Sequence, residues 1–388
     1  MDGIGTYKDK KEAFKWFLKS EYSLNKLDGI FKKIKSEKKK FKKNLKLAIS
    51  NNSKAQYYVG SCYQNGKGIN KNEKKAFEWY MKSAIGGYAE GQHILGFFYE
   101  CGIGTIKNEI KAFEWYLKSA KNGYAIAQCN LGFLYLDGKF VNKDETKAFE
   151  WYLKSAIEGY AIAQYHIGNC YYYGKGTDKD ETKALEWYMK SATAGYAEGQ
   201  CNLGYCYENG VGIEKNEKKA FEWYKKSAIE GCAEGQNKLG FCYYSGIGTD
   251  KNETKAFKWY LKSAENECAV AQNNLGLLYF EGIGIKKDEA KSFEWYKKSA
   301  ISGYAKGQCN LGYCYVNGIG TEINEKKAFE WYLKSAENGN AIAQNYLGNL
   351  YENGVGTEKN ETKAIEWYKK AYDNGIEEAK IKLNVILT

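Results

Sequence analysis

The sequence predicts an all-α solenoid made of stacked antiparallel helical hairpins. Nine tryptophans, from Trp79 to Trp367, follow one another at an unbroken interval of 36 residues. Each interval contains two segments whose apolar residues recur at helical spacing, and glycines follow these segments. One 36-residue unit of two helices is therefore repeated along most of the chain.

The first helix of the unit, helix A, is illustrated by residues 125–160. Its apolar positions, such as Leu131, recur at helical spacing until Gly138, where a left-handed residue is expected to end the helix. We call the equivalent positions of the nine units, which are 36 residues apart, a slot. The slot of Ala127 holds only alanine or glycine, and the slot of Gly132 holds glycine in every unit. Because glycine inside a helix costs about 1 kcal/mol relative to alanine, its recurrence predicts close contact between two helices.

The second helix, helix B, begins at Asp144–Glu145, and the same two slots hold Asn or Asp followed by Glu in all nine units. The first side chain can cap the helix, and the second complements the helix dipole. Gly159 ends helix B, and Glu267 is the one residue that replaces glycine in this slot. Glu150 precedes Lys154 by four residues, which predicts an ion pair along the exposed side of the helix.

The ends of the array depart from this pattern. The predicted organisation is a partial repeat (turn plus helix B) at 1–20, a degenerate Lys-rich helical segment at 21–52, nine repeats at 53–376 and a C-terminal capping helix at 377–388. Phe41, Leu45 and Ala48 keep slots of helix B within the degenerate segment. The first helix A is missing, which is typical of a fragment, of a truncated gene model or of the tail of a longer protein with an upstream domain. These three explanations stay open.

The repeated signature A-Q-x-x-L-G-x-x-Y-x-x-G-x-G, followed by K-A-F-E-W-Y-x-K-S-A-x-x-G, resembles the Sel1-like repeat family, a relative of the tetratricopeptide repeat. The resemblance covers residues 53–376. It implies a right-handed α-solenoid whose A helices line a concave groove, and a role as an adaptor that assembles protein complexes. Some bacterial cysteine-rich members of the family bind penicillin-like compounds.

Composition excludes several function classes. All 58 basic residues are lysine, so the chain lacks the guanidinium groups that usually read nucleic-acid bases, and no specific nucleic-acid partner is expected. Eleven cysteines occupy inconsistent slots, which indicates reduced, small apolar side chains rather than a disulfide framework. No segment has the length and apolarity of a membrane span, so the predicted location is the cytoplasm. The sequence specifies no oligomeric state.

The candidate recognition site is one face of helix A. The slots of Ile126, Asn130, Phe133 and Asp137 share that face because they are spaced i, i+4, i+7 and i+11. One slot carries Asn130, Asn202, Asn274 and Asn310, and another carries Phe97, Phe133, Tyr205, Phe241 and Tyr313. Amides can pair with a peptide backbone, and rings offer rigid contact area. The alternative is that the asparagines bond neighbouring repeats and the rings stack between them.

The predicted function is a non-catalytic scaffold that binds an extended peptide or a helix of other proteins, with no catalytic, cofactor or metal site. His93 and His166 lie in different units without the spacing of metal ligands, and no nucleophile is paired with a base. Two alternatives stay open. One is a small-molecule binder or hydrolase similar to the penicillin-binding relatives. The other is docking of residues 32–46, which contain nine lysines, to acidic protein, anionic lipid or RNA.

Overall fold

The structure, a computed structural model, describes residues 24–387, which form twenty helices and no strands. After Leu24–Ile49, the A helices of repeats 1 to 9 are Ser53–Asn65, Ala89–Cys101, Ala125–Asp137, Ala161–Tyr173, Ala197–Asn209, Ala233–Ser245, Ala269–Glu281, Ala305–Asn317 and Ala341–Asn353. The B helices are Glu73–Ile85, Glu109–Lys121, Glu145–Ile157, Glu181–Thr193, Glu217–Ile229, Glu253–Glu265, Glu289–Ile301, Glu325–Glu337 and Glu361–Asp373, and Glu377–Leu387 follows them. The predicted all-α solenoid is confirmed.

The chain divides into two compact units. The first unit is Met1–Ala163 with Lys175–Asp178, and the second is Gln164–Gly174 with Lys179–Thr388. Each unit has its own buried core, in which alanine, leucine and tyrosine side chains recur. The predicted partial repeat at 1–20 lies outside the described residues.

Capping and turn residues set the ends of the helices. The Asn108 Oδ1 atom accepts a hydrogen bond from the Lys111 backbone N–H at 2.9 Å, and an Asn or Asp makes the equivalent cap in all nine B helices. The Asn108 backbone N–H donates to the Tyr99 carbonyl at 2.8 Å, which ties the start of helix B to helix A. Gly102 ends helix A with a φ of 70°. The predicted caps are confirmed.

The glycine slot within helix A is the point of closest approach between the two helices of a repeat. A Cβ atom at Gly204 would lie 2.7 Å from the ring of Tyr224, which is fully buried in helix B. In all nine repeats the corresponding distance from a Cβ to the tyrosine ring would be 2.5–3.0 Å. The recurrent glycine is therefore explained by helix packing, as the sequence predicts.

Successive repeats within a unit join through a small set of repeated contacts. In the first unit the rings of Phe77 and Tyr99 meet edge to face with centroids 5.3 Å apart. The buried Gln92 side chain donates from Nε2 to the Ala84 carbonyl of the preceding repeat at 3.2 Å. The second unit repeats both contacts, for example between Phe257 and Tyr279 at 5.4 Å. The residues common to the repeats thus account for the stacking.

The tryptophans that define the period lie on helix B, each beside a lysine. The Lys154 Nζ atom is 4.3 Å from the centroid of the Trp151 ring, and the same pair forms in all nine repeats. The expected ion pair between Glu150 and Lys154 is wrong, because within the described residues Lys154 makes no ion pair with this carboxylate. The face of the Trp151 ring attracts the Lys154 ammonium and covers the aliphatic part of its side chain. An exposed ion pair with Glu150 would add only a few tenths of a kcal/mol.

The Lys-rich segment forms one helix of 26 residues, Leu24–Ile49. Phe41 and Ala48 are buried against Val59 and Cys62 of repeat 1, so these two side chains take the predicted helix B positions. The lysines between positions 32 and 40 are exposed. The segment therefore combines a packed second half with a solvated basic surface.

The last helix, Glu377–Leu387, follows repeat 9 in the position of a further helix A. Ala379 and Leu383 are buried in the core that contains repeat 9, whereas Ile381 and Val385 are each 66% exposed. One side of this helix thus covers the end of the core.

Glu267 provides a test of the turn that ends helix B. Its φ is 63°, a left-handed conformation that costs a residue with a Cβ about 1–2 kcal/mol, and its side chain is exposed. We expect Glu267→Gly to raise the free energy of unfolding by about 1 kcal/mol, measured by urea denaturation. Glu267→Ala removes the carboxylate but keeps the Cβ, so it should give no such gain. Equal gains from both variants would contradict the backbone explanation.

Candidate functional site

The predicted helix A face exists as one surface in the first unit. Asn130, Phe133 and Asp137 of repeat 3 line a cavity of about 290 Å³ together with Glu100 and Tyr116 of repeat 2. The side chains that the helical spacing placed on one face are therefore brought together at the junction of two repeats.

The asparagines of this face bond neighbouring repeats. The Asn310 Nδ2 group donates to the Asn273 Oδ1 atom at 2.8 Å, and Asn274 donates to Asn237 at 3.2 Å. Asn202 likewise donates to the Asn169 Oδ1 atom at 3.2 Å. In the first unit the Asn130 Nδ2 group lies 2.9 Å from His93 Nε2. Each amide uses one N–H for the stack, so the alternative interpretation of these residues has direct support.

The rings of the aromatic slot are largely open to solvent. Phe97 is 38% exposed and Phe133 54% exposed in the first unit. Phe241 is 39% exposed and Tyr313 41% exposed in the second unit. Tyr205 is half-buried, and its hydroxyl lies 3.2 Å from the Tyr172 hydroxyl. Four of the five predicted rings therefore offer apolar surface that the fold leaves uncovered.

Carboxylates that the sequence analysis missed also line this face. In the first unit Glu100 accepts hydrogen bonds from the Tyr116 hydroxyl and the Lys139 Nζ atom, both at 2.7 Å. Burial alone would raise the pKa of Glu100, but these two hydrogen bonds hold it below its usual range. In the second unit Glu208 accepts from Tyr224 at 2.6 Å and from Lys238 at 2.9 Å. Each carboxylate is thus paired with one tyrosine hydroxyl and one lysine.

A second cavity, of about 170 Å³, opens on the helix A face of the second unit. Tyr172, Tyr173 and Tyr188 of repeat 4 line it with Asn202 and Tyr205 of repeat 5. Sequence reasoning predicted Asn202 and Tyr205 but missed the tyrosines of repeat 4. The available signal was a Tyr–Tyr pair in two slots whose residues differ among the other repeats.

The two histidines are half-buried and neutral. Burial lowers the pKa of His93 and of His166 to about 4. The hydrogen bond from Asn130 requires an unprotonated Nε2 on His93, which agrees with this direction. Within residues 24–387 no group of three or more His, Cys, Asp or Glu side chains is arranged to hold a metal ion.

The eleven cysteines are free thiols, and most of them are buried. Burial raises the pKa of Cys129 to about 12, which makes this thiol a poor nucleophile. A hydrogen bond from Cys201 lowers the pKa of Cys232, and the Cys232 sulfur also accepts from the Gly235 backbone N–H at 3.4 Å. Cys232 therefore acts as a helix cap in the core of the second unit.

Comparison with known families identifies the repeat. The model of the Sel1 repeat matches residues 1–21, 53–88, 89–124, 125–160, 161–196, 197–232, 233–268, 269–304, 305–340 and 341–376. The chain belongs to the Sel1 repeat family. Members of this family generally mediate protein–protein interaction. A comparison with curated proteins found no match.

Two solved structures support the assignment to Sel1 repeats. The protein c5321, a protective antigen of uropathogenic Escherichia coli strains with the same repeat fold, is 34% identical over 88% of this chain and 74% of its own, with a TM-score of 0.72. A Sel1 repeat protein from Oxalobacter formigenes is 28% identical over 80% of this chain and 89% of its own, with a TM-score of 0.56. This chain is similar to both.

A residue's position within the Sel1 repeat shows whether it packs the framework of the repeat or lies on the candidate recognition surface. Framework slots, such as those of Gly204 and Tyr224, hold the same residue in every repeat and are buried between helices. Slots on the helix A face, such as those of Phe133 and Lys238, change from repeat to repeat. None of the described helices has the length and apolarity needed to cross a membrane.

Proposed function

We propose that this Sel1 repeat protein is a non-catalytic cytoplasmic adaptor that binds extended or helical segments of other proteins on its helix A face. The main support for the proposal is that aromatic rings recur at one slot of that face and that four of them are exposed. The same slot holds Ser61, Asn169 and Asn349 in repeats 1, 4 and 9. Stacking therefore does not require a ring there, and exposed aromatic side chains are frequent anchors in protein interfaces.

The spacing of the rings suits an extended segment. Phe97 and Phe133 belong to adjacent repeats of the first unit, and Tyr205 and Phe241 belong to adjacent repeats of the second. Neighbouring helices pack about 8–10 Å apart. An extended chain in the polyproline II conformation has three residues per turn and advances about 3.1 Å per residue, so every third side chain lies on the same side. A bound segment can therefore contact successive rings with every third residue.

The polar groups of the face add direction to such binding. Asn274 and Asn310 each donate one N–H to a neighbouring repeat, and an amide has a second N–H and further acceptor capacity. These side chains are held in place by the stack, so they can pair with a peptide backbone at little further entropic cost. The rings supply contact area, and the fixed amides favour one orientation of the segment.

We expect replacement of all five rings by asparagine to weaken partner binding at least about tenfold, since truncating interface anchors commonly costs more than 1 kcal/mol each. Asparagine is chosen because repeats 4 and 9 carry it in this slot and fold in the same way. The ligand is the tightest nonapeptide selected from a phage-displayed random library on the full chain. Its affinity is measured by fluorescence polarisation.

The matched control alters exposed apolar residues on the B helices instead. It replaces Ile85, Ile157, Ile229 and Ile301, which are 63–71% exposed, with alanine. This control variant should bind the nonapeptide as the unmodified chain does. Retained binding in the asparagine variant, or an equal loss in the control, would contradict the proposal.

A further inference from the structure

The cavity on the helix A face of repeats 4 to 6, hereafter the tyrosine pocket, combines the framework residue Tyr188 with side chains that vary among the repeats. The Tyr172–Tyr173 pair at the end of helix A is found in repeat 4 alone, and repeat 8 carries Val316–Asn317 in the same two slots. Asn169, like Asn349 of repeat 9, occupies a slot that holds a ring in most repeats. It lies next to the pocket, because it accepts hydrogen bonds from the lining residues Tyr188 and Asn202. Only repeat 4 combines this asparagine with the Tyr–Tyr pair.

The walls of the tyrosine pocket are rings held at fixed angles. The Tyr172 ring is nearly perpendicular to the rings of Tyr173 and Tyr205, with centroids 4.8 and 6.1 Å away. At its base the Asn169 Oδ1 atom accepts hydrogen bonds from the Tyr188 hydroxyl at 2.7 Å and from Asn202 at 3.2 Å. Tyr173 is 63% exposed and forms the rim. The pocket is therefore preorganised and open at one side.

Its size excludes a drug-sized molecule and admits one side chain. Pockets for small molecules usually have volumes of about 300–1,000 Å³, whereas the tyrosine pocket has about 170 Å³. It lies on the same face as the half-buried ring of Tyr205 and the exposed ring of Phe241. A peptide segment bound along that face can place a single anchoring side chain in the pocket.

The charges around the pocket favour a cation. Lys238 is paired with Glu208 at 2.9 Å, so these two charges offset each other. Glu234 lines the pocket and is exposed, and no ion pair engages it within the described part of the chain. The mouth of the pocket therefore carries net negative charge.

The rings themselves also attract cations. Two main effects raise the pKa of Tyr172 to about 12: the larger is its hydrogen bond with Tyr205, and the smaller is burial. Burial also raises the pKa of Tyr188. These phenols remain neutral, and their faces carry the negative end of the ring quadrupole. Two lysines of the chain already use this attraction, with Lys238 Nζ 5.6 Å from the centroid of Tyr205 and Lys179 Nζ 5.9 Å from that of Tyr172.

We infer that the tyrosine pocket binds a lysine or arginine side chain of the partner segment, enclosed by tyrosine rings and faced by Glu234. This inference rests on the proposed function, because the segment itself is held by the helix A face. It adds a specificity element: partners are selected for a basic residue at the position that reaches repeat 4.

The test uses five pools of synthetic nonapeptides on the full chain. The central residue is fixed as arginine, lysine, glutamine, glutamate or norleucine, and the other positions are randomised. Arginine or lysine pools should bind about fivefold more tightly than the glutamine, glutamate and norleucine pools, as expected for a partly desolvated cation over aromatic rings. Tyr172→Val with Tyr173→Asn, which copies repeat 8, should abolish this preference, and Glu234→Gln should reduce it.

The control copies repeat 8 at the same two slots of repeat 6, as Tyr244→Val with Ser245→Asn, and should keep the preference. If all pools bind equally and lose affinity only when the five rings become asparagine, the pocket inference is overturned and the proposed function stands. If no pool binds, both are overturned. A preference for glutamate would instead assign the pocket to an acidic residue and would also overturn the inference.

Discussion

Gly204→Ala is expected to lower the free energy of unfolding by about 1 kcal/mol, although alanine is the better helix former. The added Cβ would lie 2.7 Å from the ring of Tyr224, a side chain with no exposed surface whose hydroxyl is held by Glu208 at 2.6 Å. The ring cannot move aside without losing that hydrogen bond. Overpacking of this kind costs about 1–3 kcal/mol and sometimes more, whereas the gain in helix propensity is about 1 kcal/mol. Urea denaturation of the full chain measures the change.

Gly199→Ala, five residues earlier in the same helix, is the matched control. Its Cβ would meet the Ser191 hydroxyl of the preceding repeat and would lie 2.8 Å from the Ser191 Cβ. Repeat 3 already carries Ala127 in this slot, and the serine that faces it, Ser119, keeps its hydrogen bond to the Ala89 carbonyl at 2.6 Å. The contact between repeats can therefore adjust to a methyl group, and we expect a change within about 0.5 kcal/mol. Equal losses from the two variants would show that the tyrosine ring is not the cause.

Lowering the pH from 7 to 4 should destabilise the protein through its two half-buried histidines. The folded-state pKa of His93 and of His166 is lowered to about 4, against about 6.5 in an unfolded chain. Between these values the unfolded state binds more protons than the folded state, so stability falls as the pH falls. At about 1.4 kcal/mol per pKa unit, each histidine accounts for a loss on the order of 3 kcal/mol, which is complete near pH 4.

The pH effect can be isolated with His93→Asn and His166→Asn. Other repeats carry asparagine in both slots, as at Asn237 and Asn202, so the stack should tolerate the changes. The measurement is the free energy of unfolding in urea at half-unit steps from pH 7 to pH 4. The doubly substituted chain should lose most of the slope between pH 6.5 and pH 4.5. An unchanged slope would mean that other groups cause the acid sensitivity.

The framework of the fold was predictable from the sequence because its determinants are local and occur nine times. The cap by Asn108, the left-handed Gly102 and the close approach at Gly204 each follow from one residue type in one slot. The Lys154–Trp151 contact was missed because the sequence offers both an acidic and an aromatic neighbour at helical spacing. Side-chain packing decides between them.

The candidate site was only partly predictable because it is assembled across repeats. Asn130 could be assigned to the helix A face, but its partner His93 precedes it by 37 residues and depends on how successive repeats align. Glu208 and Lys238 are similarly 30 residues apart. The tyrosine pocket joins side chains of repeats 4, 5 and 6, so no single unit of the sequence contains it.

Photo-crosslinking from two positions near the tyrosine pocket tests the central claim most directly. Benzoylphenylalanine replaces either Phe241 on helix A of repeat 6 or Ile229 on helix B of repeat 5, which are 39% and 63% exposed. The full chain is then irradiated with the nonapeptide selected from the phage library. Binding on the helix A face predicts crosslinks from position 241 and none from position 229. Crosslinks from position 229 with none from position 241 would contradict the account.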